Sequence, residues 1–309
     1  MPFVAYRDDN VTLGRCFTTR DYSALEKEIL AEKDRMTRYE ELDGQVFGYQ
    51  IARNNPVSRV YDMEVRVVRF LFSRADTLHR EEQEEVMARL LHHLKEQMEA
   101  EPAYYNLRLP CHFTDLTRAF NRELRSCPGM YFCGGTTEQI HVGDIVPIRM
   151  DPAVRLFWAS PEYIAANREP MLQIMYDSFE LYQGQYHISP VTAPRAGEIY
   201  RNWVYGAFTD YEPETVIAAE YEGRPVGECL LRKTEQGVDG LLCSIDPAVR
   251  RLGIYRGILD YMIRFAHDTG RIFVASTQMD NFISCGTMNS LNMRPLYGIY
   301  NFHNDTRRR

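Results

Sequence analysis

Strand-like and helix-like hydrophobic patterns alternate along the first half of the chain. Residues 63–73 alternate apolar with charged positions and are rich in β-branched and aromatic side chains, which is typical of a strand. Residues 81–101 follow with apolar positions at helical spacing, an acidic first turn and Pro102 after the end, which predicts a helix. The same criteria predict, in order, a strand at 104–109, a helix ending near 124 and a strand at 130–139.

The second half repeats this order of elements. We predict strands at 145–150, 215–221, 225–233, 238–245, 271–277 and 295–303, and helices at 163–181, 194–208, 254–267 and 282–291. Because the series strand, helix, strand, helix, strand occurs in both halves, the pattern predicts an α/β (α+β) protein of two similar domains in tandem. Each domain is expected to be a mixed twisted sheet flanked by helices, with the boundary between residues 1–143 and 144–309.

Composition narrows the class of protein. The chain has 309 residues, 45% of them apolar and 26% charged, with a net charge of −7 and no long basic run, so nucleic acid is a poor candidate partner. No apolar run approaches the ~20 residues of a membrane helix, and the N-terminus has no stretch of signal-peptide length. The seven cysteines form no Cys-x-x-Cys pair, which disfavours disulfides and metal and favours a cytoplasmic location.

The chemistry is expected in the turn that follows the strand at 238–245. Pro247 ends this strand, a basic turn with Arg250 and Arg251 follows, and Gly253 stands where the next helix begins. The N–H groups at a helix start have no partner within the helix, and the helix dipole favours negative charge there. The turn therefore predicts a binding site for a diphosphate, which Gly253 would allow to approach the backbone closely.

This turn resembles the acyl-CoA loop of the GCN5-related N-acetyltransferase (GNAT) family, which reads Arg/Gln-x-x-Gly-x-Gly/Ala. The match here is Arg250-x-x-Gly253-x-Tyr255, and Tyr255 departs from the pattern at its last place. Thr277-Gln278-x-x-Asn281 after the next strand is similar to the branch that acylates nucleotide-linked amino sugars, to which TDP-fucosamine acetyltransferase belongs. The resemblance covers residues 145–303, and the N-terminal half matches only in its arrangement.

The resemblance implies tandem GNAT-like domains, with acetyl-CoA as the co-substrate and a small-molecule amine as the acceptor. Pantetheine would lie between two splayed parallel strands, 238–245 and 271–277, and no metal is needed. The residues expected to bind the cofactor, several of them through the backbone, are Ser244, Ile245, Arg250, Arg251, Gly253, Ile254, Tyr255 and Asn281.

The proton donor for the departing thiolate is where the sequence differs from the family. The tyrosine that many members carry on the last helix falls here on Met288. Tyr297, Tyr300 or His303 could serve instead, or the thiolate leaves unassisted. Loss of acyl transfer is the remaining possibility, and the chain would then be an inactive acyl-CoA-binding sensor or partner-binding module.

Other reactive side chains have ordinary structural interpretations. We expect Cys285 to be a small buried residue and Asp246 to cap its turn. Glu220 and Glu228 lie on the strands of the predicted hairpin, where a general base could sit, although a solvated strand face is the default expectation. His187 could contact the acceptor by analogy with the family. The loop at 73–80 has no glycine, so we expect the N-terminal domain not to bind acyl-CoA and to support the other domain or wall the acceptor cleft.

Overall fold

The computed structural model describes residues 4–5, 33–72, 80–110, 125–135, 142–181, 184–187, 189–235 and 237–307. The chain divides into two compact units, residues 1–131 with 297–309, and residues 132–296. Both units are mixed α/β structures. No helix within the described ranges is both long enough and apolar enough to cross a membrane.

The first unit is built on the strand order β2-β3-β4-β5-β12, with β6 following β12. Its elements are β1 (Val4–Ala5), β2 (Arg38–Leu42), β3 (Gln45–Arg53), α1 (Asn55–Tyr61), β4 (Val65–Phe72), α2 (Arg80–Ala100), β5 (Tyr104–Pro110), β6 (Arg125–Gly135) and β12 (Arg294–Asp305). The predicted strands at 63–73 and 104–109 and the helix at 81–101 are confirmed. The helix expected to end near 124 lies outside the described residues.

The apolar face of α2 forms the core of the first unit. Val86, Leu90, Leu94 and Met98 recur at helical spacing and are buried against β-strand side chains that include Phe302. This is the amphipathic pattern from which the helix was predicted.

The last strand belongs to the first unit, whereas the predicted division after residue 143 placed it in the second domain. β12 pairs antiparallel with β5 over seven residues, from Ile299 opposite Pro110 to Asp305 opposite Tyr104. Such pairing between residues that are far apart in sequence leaves no local signal in either segment, so the hydrophobic pattern could not predict it.

The parallel strands of the first unit separate after a short paired stretch. β4 and β5 pair from Val65 and Tyr104 to Val68 and Leu107. Farther along β4, Leu71 and Phe72 pair with Ala5 and Val4 of β1, while β3 occupies the other edge of β4. One edge of β4 therefore pairs with β5 at the start of the strand and with β1 at its end.

The second unit has the strand order β11-β10-β9-β8-β7. Its elements are β7 (Val154–Trp158), α3 (Pro161–Leu181), α4 (Ala196–Thr209), β8 (Val216–Tyr221), β9 (Arg224–Lys233), β10 (Gly237–Ile245), α5 (Ile254–Asp268), β11 (Ile272–Gln278) and α6 (Phe282–Ser290). Glu222 and Gly223, both with positive φ, form the predicted turn between β8 and β9.

One predicted strand of this unit is wrong. Residues 145–150 are irregular, and the opening strand is β7, a few residues later. Pro147 cannot donate a hydrogen bond to a ladder. The segment instead leads to Asp151, whose N–H donates to the carbonyl of Leu252 at 3.1 Å, so it packs beside the basic turn.

Candidate active site

The two parallel strands at the centre of the second unit separate towards their carboxyl ends. β10 and β11 pair from Gly237 and Ile272 only as far as Gly240 and Ala275, although β10 continues to Ile245. A bulge at the end of the paired stretch shifts the register between β10 and β9, and bulges of this kind bend a strand. Among the described strands, the far edge of residues 241–245 has no partner, so an extended ligand can pair there.

The turn after β10 is held in shape by Asp246. Its carboxylate accepts a hydrogen bond from the N–H of Ala248 at 2.9 Å and an ion-paired one from Arg224 at 3.0 Å. The predicted capping role of Asp246 is confirmed. Beyond the short helical turn at Pro247–Val249, Arg251 and Gly253 both take left-handed φ values, 74° and 82°. For Arg251 this conformation costs about 1–2 kcal/mol.

Backbone donors are concentrated in this turn. Among the described residues, nothing accepts a hydrogen bond from the N–H groups of residues 251–256, which include the first turn of α5. A turn with left-handed residues can direct successive N–H groups into a concave anion site, and the helix dipole adds to the attraction. Arg250 and Arg251 are exposed beside it. The turn therefore fits a diphosphate.

Gly253 is required for a reason that differs from the one the sequence indicated. A Cβ atom at this position would lie 2.5 Å from the carbonyl oxygen of Arg149 and 3.2 Å from the Cα atom of Met150. The absence of a side chain at Gly253 thus lets the turn pack on the preceding backbone, and the positive φ is a second requirement. Close approach of a phosphate to Gly253 stays a prediction.

Ile254 is buried in the core and Tyr255 is half-buried, so neither side chain is free in solvent. Burial raises the pKa of the Tyr255 hydroxyl, and the thiols of Cys243, on β10, and Cys285 raise it further. At the helix start these two residues therefore offer backbone N–H groups to a ligand, while the side chain of Tyr255 extends towards β10.

Ser244 directs its hydroxyl to a buried acid. Its Oγ atom donates to Oε1 of Glu228 on β9 at 2.5 Å, and the two residues face each other across the strands. The carbonyl of Ile245 accepts from the Ser178 hydroxyl at 2.8 Å, which ties the end of β10 to α3. The expectation of a solvated Glu228 is wrong, because its exposed fraction is 0%. Its apolar neighbours, Cys229 and Leu230, are the sequence signal that this carboxylate is enclosed.

Burial raises the pKa of Glu228 from 4.5 to about 8, and the bond from Ser244 offsets only part of that rise. Because the unfolded carboxyl ionises near 4.5 while the folded one keeps its proton, stability falls as pH rises between these values, by up to about 5 kcal/mol. Glu228→Gln removes this loss. Chemical denaturation at pH 5 and pH 8 is expected to show a stability gain that grows with pH, and a gain independent of pH would contradict the assignment.

Asn281 caps the last helix. Its side-chain oxygen accepts from the N–H of Ser284 at 3.2 Å, and its amide NH2 group can donate to a ligand. Asn281→Ala is expected to lose about 1 kcal/mol of stability with the cap. Asn281→Ser keeps a capping oxygen but removes the NH2 group, so it should retain the melting temperature and bind acetyl-CoA several-fold more weakly. Unchanged affinity in Asn281→Ser would leave the residue with a capping role only.

The predicted proton donors lie on β12, in the first unit, whereas the basic turn belongs to the second. Tyr300 packs against the core of the first unit. His303 is buried, and its Nδ1 atom lies 2.6 Å from the Tyr104 hydroxyl. Burial lowers the pKa of His303 to about 4, with a further contribution from Arg108, so the imidazole is neutral at pH 7 and cannot act as an imidazolium acid. The side chain of Tyr297 lies outside the described residues, and the catalytic roles stay predictions.

Three further candidates have structural roles. Met288, on α6, is buried in the core. Burial raises the pKa of the Cys285 thiol, which disfavours a thiolate nucleophile. His187 accepts the N–H of Gly184 at Nδ1, and burial lowers its pKa. Within the described ranges, no three His, Cys, Asp or Glu side chains are grouped as a metal site would require.

Known proteins share this architecture. Residues 172–292 match the model of the Acetyltransferase (GNAT) family. A GCN5-related N-acetyltransferase from Sphaerobacter thermophilus is 12% identical, with a TM-score of 0.57 over 92% of this chain and 86% of that one. A tandem GNAT protein from the clavulanic acid biosynthesis pathway is 10% identical, with a TM-score of 0.53 over 98% of both chains.

A third structure is the GCN5-related glucosamine N-acetyltransferase region of a fungal multi-domain GH3 β-N-acetylglucosaminidase. It is 13% identical, with a TM-score of 0.53 over 98% of this chain and 38% of that one. No curated protein matches the sequence. The match to the GNAT family model thus lies within the second unit, and the chain has the fold of tandem GNAT proteins.

Proposed function

We propose that the protein is an acyl-CoA-dependent N-acyltransferase that moves a short acyl group from CoA to an amine. The observation that carries the proposal is the combination of free amides at residues 251–256 with the unpaired edge of β10 at residues 241–245. A diphosphate on the amides and a pantetheine arm along the edge would make one continuous ligand. The GNAT-family match at residues 172–292 includes both features.

The basic turn, the edge of β10 and Asn281 would each hold a different part of the ligand. The N–H groups from Arg251 to Arg256 would donate to the diphosphate, with Arg250 and Arg251 supplying charge. The edge of β10 near Ser244 and Ile245 would pair with the pantetheine amides, and its N–H groups would polarise the thioester carbonyl. Asn281 would donate its NH2 group to the same arm.

The reaction needs little covalent participation by the protein. The acceptor amine attacks the thioester carbonyl directly, so catalysis depends on position, on removal of a proton from the amine, and on departure of the thiolate. No tyrosine stands at position 288 to protonate the thiolate. Tyr297 and Tyr300 remain candidates for that role, His303 is disfavoured because its imidazole is neutral at pH 7, and unassisted departure is the alternative.

One acyl-CoA per chain is expected. In the first unit, β1 pairs with Leu71 and Phe72 along the edge of β4 where a pantetheine arm would otherwise lie. The first unit is accordingly not expected to bind a second acyl-CoA.

The second candidate function is an inactive acyl-CoA-binding module. Met288 in place of tyrosine favours it. This module would bind acetyl-CoA in the same turn without transferring the acyl group.

The acceptor is proposed to be an amino sugar linked to a nucleotide. This rests on Thr277-Gln278-x-x-Asn281, and a glucosamine N-acetyltransferase region is among the proteins of similar fold. Amino sugars therefore head the panel of acceptors for the assay.

The test combines calorimetric titration of acetyl-CoA with a thiol-release assay over nucleotide-linked amino sugars, glucosamine and simple amines. Binding at one site per chain and amine-dependent thiol release would support the transferase. Binding without release on any amine would favour the inactive module, and absence of binding would exclude both.

A further inference from the structure

A row of side chains crosses the second unit on the face that α3 covers. Phe157, Ala218, Glu228 and Ser244 are successive neighbours on β7, β8, β9 and β10. The ring of Tyr163, in the first turn of α3, meets the ring of Phe157 edge-on at 4.9 Å. Glu228 therefore lies inside the layer between the sheet and α3.

Of the two carboxyl oxygens of Glu228, one has a hydrogen-bond partner in the described protein and the other has none. Oε1 accepts the Ser244 hydroxyl, while Oε2 is buried and has no hydrogen-bond partner in the described protein. No cation pairs with it among the described residues. A buried acid with an unpaired oxygen is costly, and a glutamine or an apolar side chain would serve a purely structural purpose better. Groups of this kind are concentrated at functional sites.

The position of Ser244 connects this acid to the proposed reaction. Ser244 lies in the stretch of β10 beyond its last pair with β11, where the proposed thioester would sit. Building on the proposed function, we propose that Ser244 and Glu228 form the route by which the attacking amine loses its proton, with Glu228 acting through Ser244 as a positioning residue and proton acceptor.

The neutral amine nitrogen forms a bond to the thioester carbonyl carbon, and the C–S bond breaks with its electron pair leaving on sulfur. The amine proton passes to the Ser244 oxygen as the Ser244 proton passes to Oε1 of Glu228. The thiolate takes up a proton from solvent and Glu228 returns one, so the products are an amide and the CoA thiol.

Few other groups on this face titrate near neutral pH. The carboxylate of Glu220, on β8, lies 3.6 Å from the Arg155 guanidinium of β7. Burial, with Glu220 and Glu228 nearby, raises the pKa of Tyr163 on α3, which stays protonated. Cys243, on the opposite face of β10, also has a raised pKa, because Cys229 and burial favour its thiol form. The ionisation of Glu228 near pH 8 is thus the one expected to appear in the rate.

The experiment compares wild type with Glu228→Gln in the full-length protein, using the acceptor that gives thiol release. Removal of a general base costs roughly 10²- to 10⁴-fold in rate, so kcat is expected to fall at least 100-fold at pH 8. The acetyl-CoA Kd is expected to stay within twofold. The wild-type rate should rise with pH through about 8 as Glu228 ionises. In the variant, only the ionisation of the acceptor amine, which both proteins share, should still change the rate with pH.

Two further variants separate chemistry from structure. Ser244→Ala interrupts the route at its first step and should lose rate to a similar degree. Glu220→Gln changes a carboxyl on the same face outside the route and should keep both the rate and the pH profile. A Glu228→Gln protein that keeps kcat within threefold and an unchanged pH profile would overturn the proposal.

Failure of this inference is distinguishable from failure of the proposed function. If wild type neither binds acetyl-CoA nor releases thiol, the transferase is wrong and the proton route is wrong with it. If wild type turns over and the Glu228 and Ser244 variants match it, only the proton route is wrong. Glu228→Gln is nearly isosteric and removes a buried ionisable group, so it is expected to fold, and its melting temperature checks that directly.

Discussion

Gly253→Ala is expected to weaken acetyl-CoA binding by at least tenfold and to lower stability by more than 1 kcal/mol. The φ value of 82° already disfavours any side chain here. The added Cβ atom would also lie 2.5 Å from the Arg149 carbonyl oxygen, a backbone atom that cannot rotate away. The turn must therefore shift, and the N–H groups of residues 251–256 would lose their common direction. Calorimetric titration and thermal denaturation measure the two effects.

Gly270→Ala is the matched control for this change. Gly270 ends the same helix with a φ of 65°, and a Cβ atom there would meet nothing within 4 Å. The control has comparable backbone strain without the collision, so it should lose stability while keeping the wild-type affinity. If both variants bind acetyl-CoA as wild type does, the turn is not the diphosphate site.

Arg251→Gly is expected to move affinity and stability in different directions. Arg251 holds a left-handed conformation at a cost of about 1–2 kcal/mol, which glycine avoids, while glycine adds about 0.5–1 kcal/mol of backbone entropy to the unfolded state. The free energy of unfolding should therefore stay the same or rise slightly. Loss of the guanidinium removes a charge-assisted contact of about 1.5–3 kcal/mol, so the acetyl-CoA Kd should rise roughly 10- to 100-fold.

Glu222→Gly provides the comparison for Arg251→Gly. Glu222 is exposed in the hairpin turn of β8 and β9 with a φ of 52°, so its change to glycine relieves the same kind of strain away from the basic turn. Its stability should respond similarly and its acetyl-CoA affinity should not change. The Kd of Arg251→Gly should also depend less on salt than that of wild type, since fewer charges contribute. A wild-type Kd and salt dependence would show that the guanidinium does not meet the ligand.

Local sequence signals predicted most elements of the second unit. α5 was predicted from its apolar spacing and from Gly270 at its end, and Glu222-Gly223 predicted the hairpin turn. In each case the information lies within a few residues, because helix ends and tight turns are decided by local backbone preferences. The parallel opening between β10 and β11 was implied only by the resemblance to a family, because strand separation has no local signal.

Three-dimensional packing explains the features that the sequence did not predict. β12 joins the first unit through pairing with β5, and the enclosure of Glu228 depends on α3, which lies more than forty residues earlier in the chain. The close approach of Gly253 to Arg149 likewise joins segments about a hundred residues apart. Hydrophobic periodicity identifies the apolar face of each helix or strand. It does not say which of these faces pack against each other, and such contacts depend on that.

The most direct test of the central claim is a crystal structure of the full-length protein with acetyl-CoA. We predict one ligand per chain, with its diphosphate within hydrogen-bond distance of the N–H groups of residues 251–256 and its pantetheine arm along residues 241–245 of β10. A ligand bound at any other position, or an unchanged turn without ligand at saturating acetyl-CoA, would contradict the account.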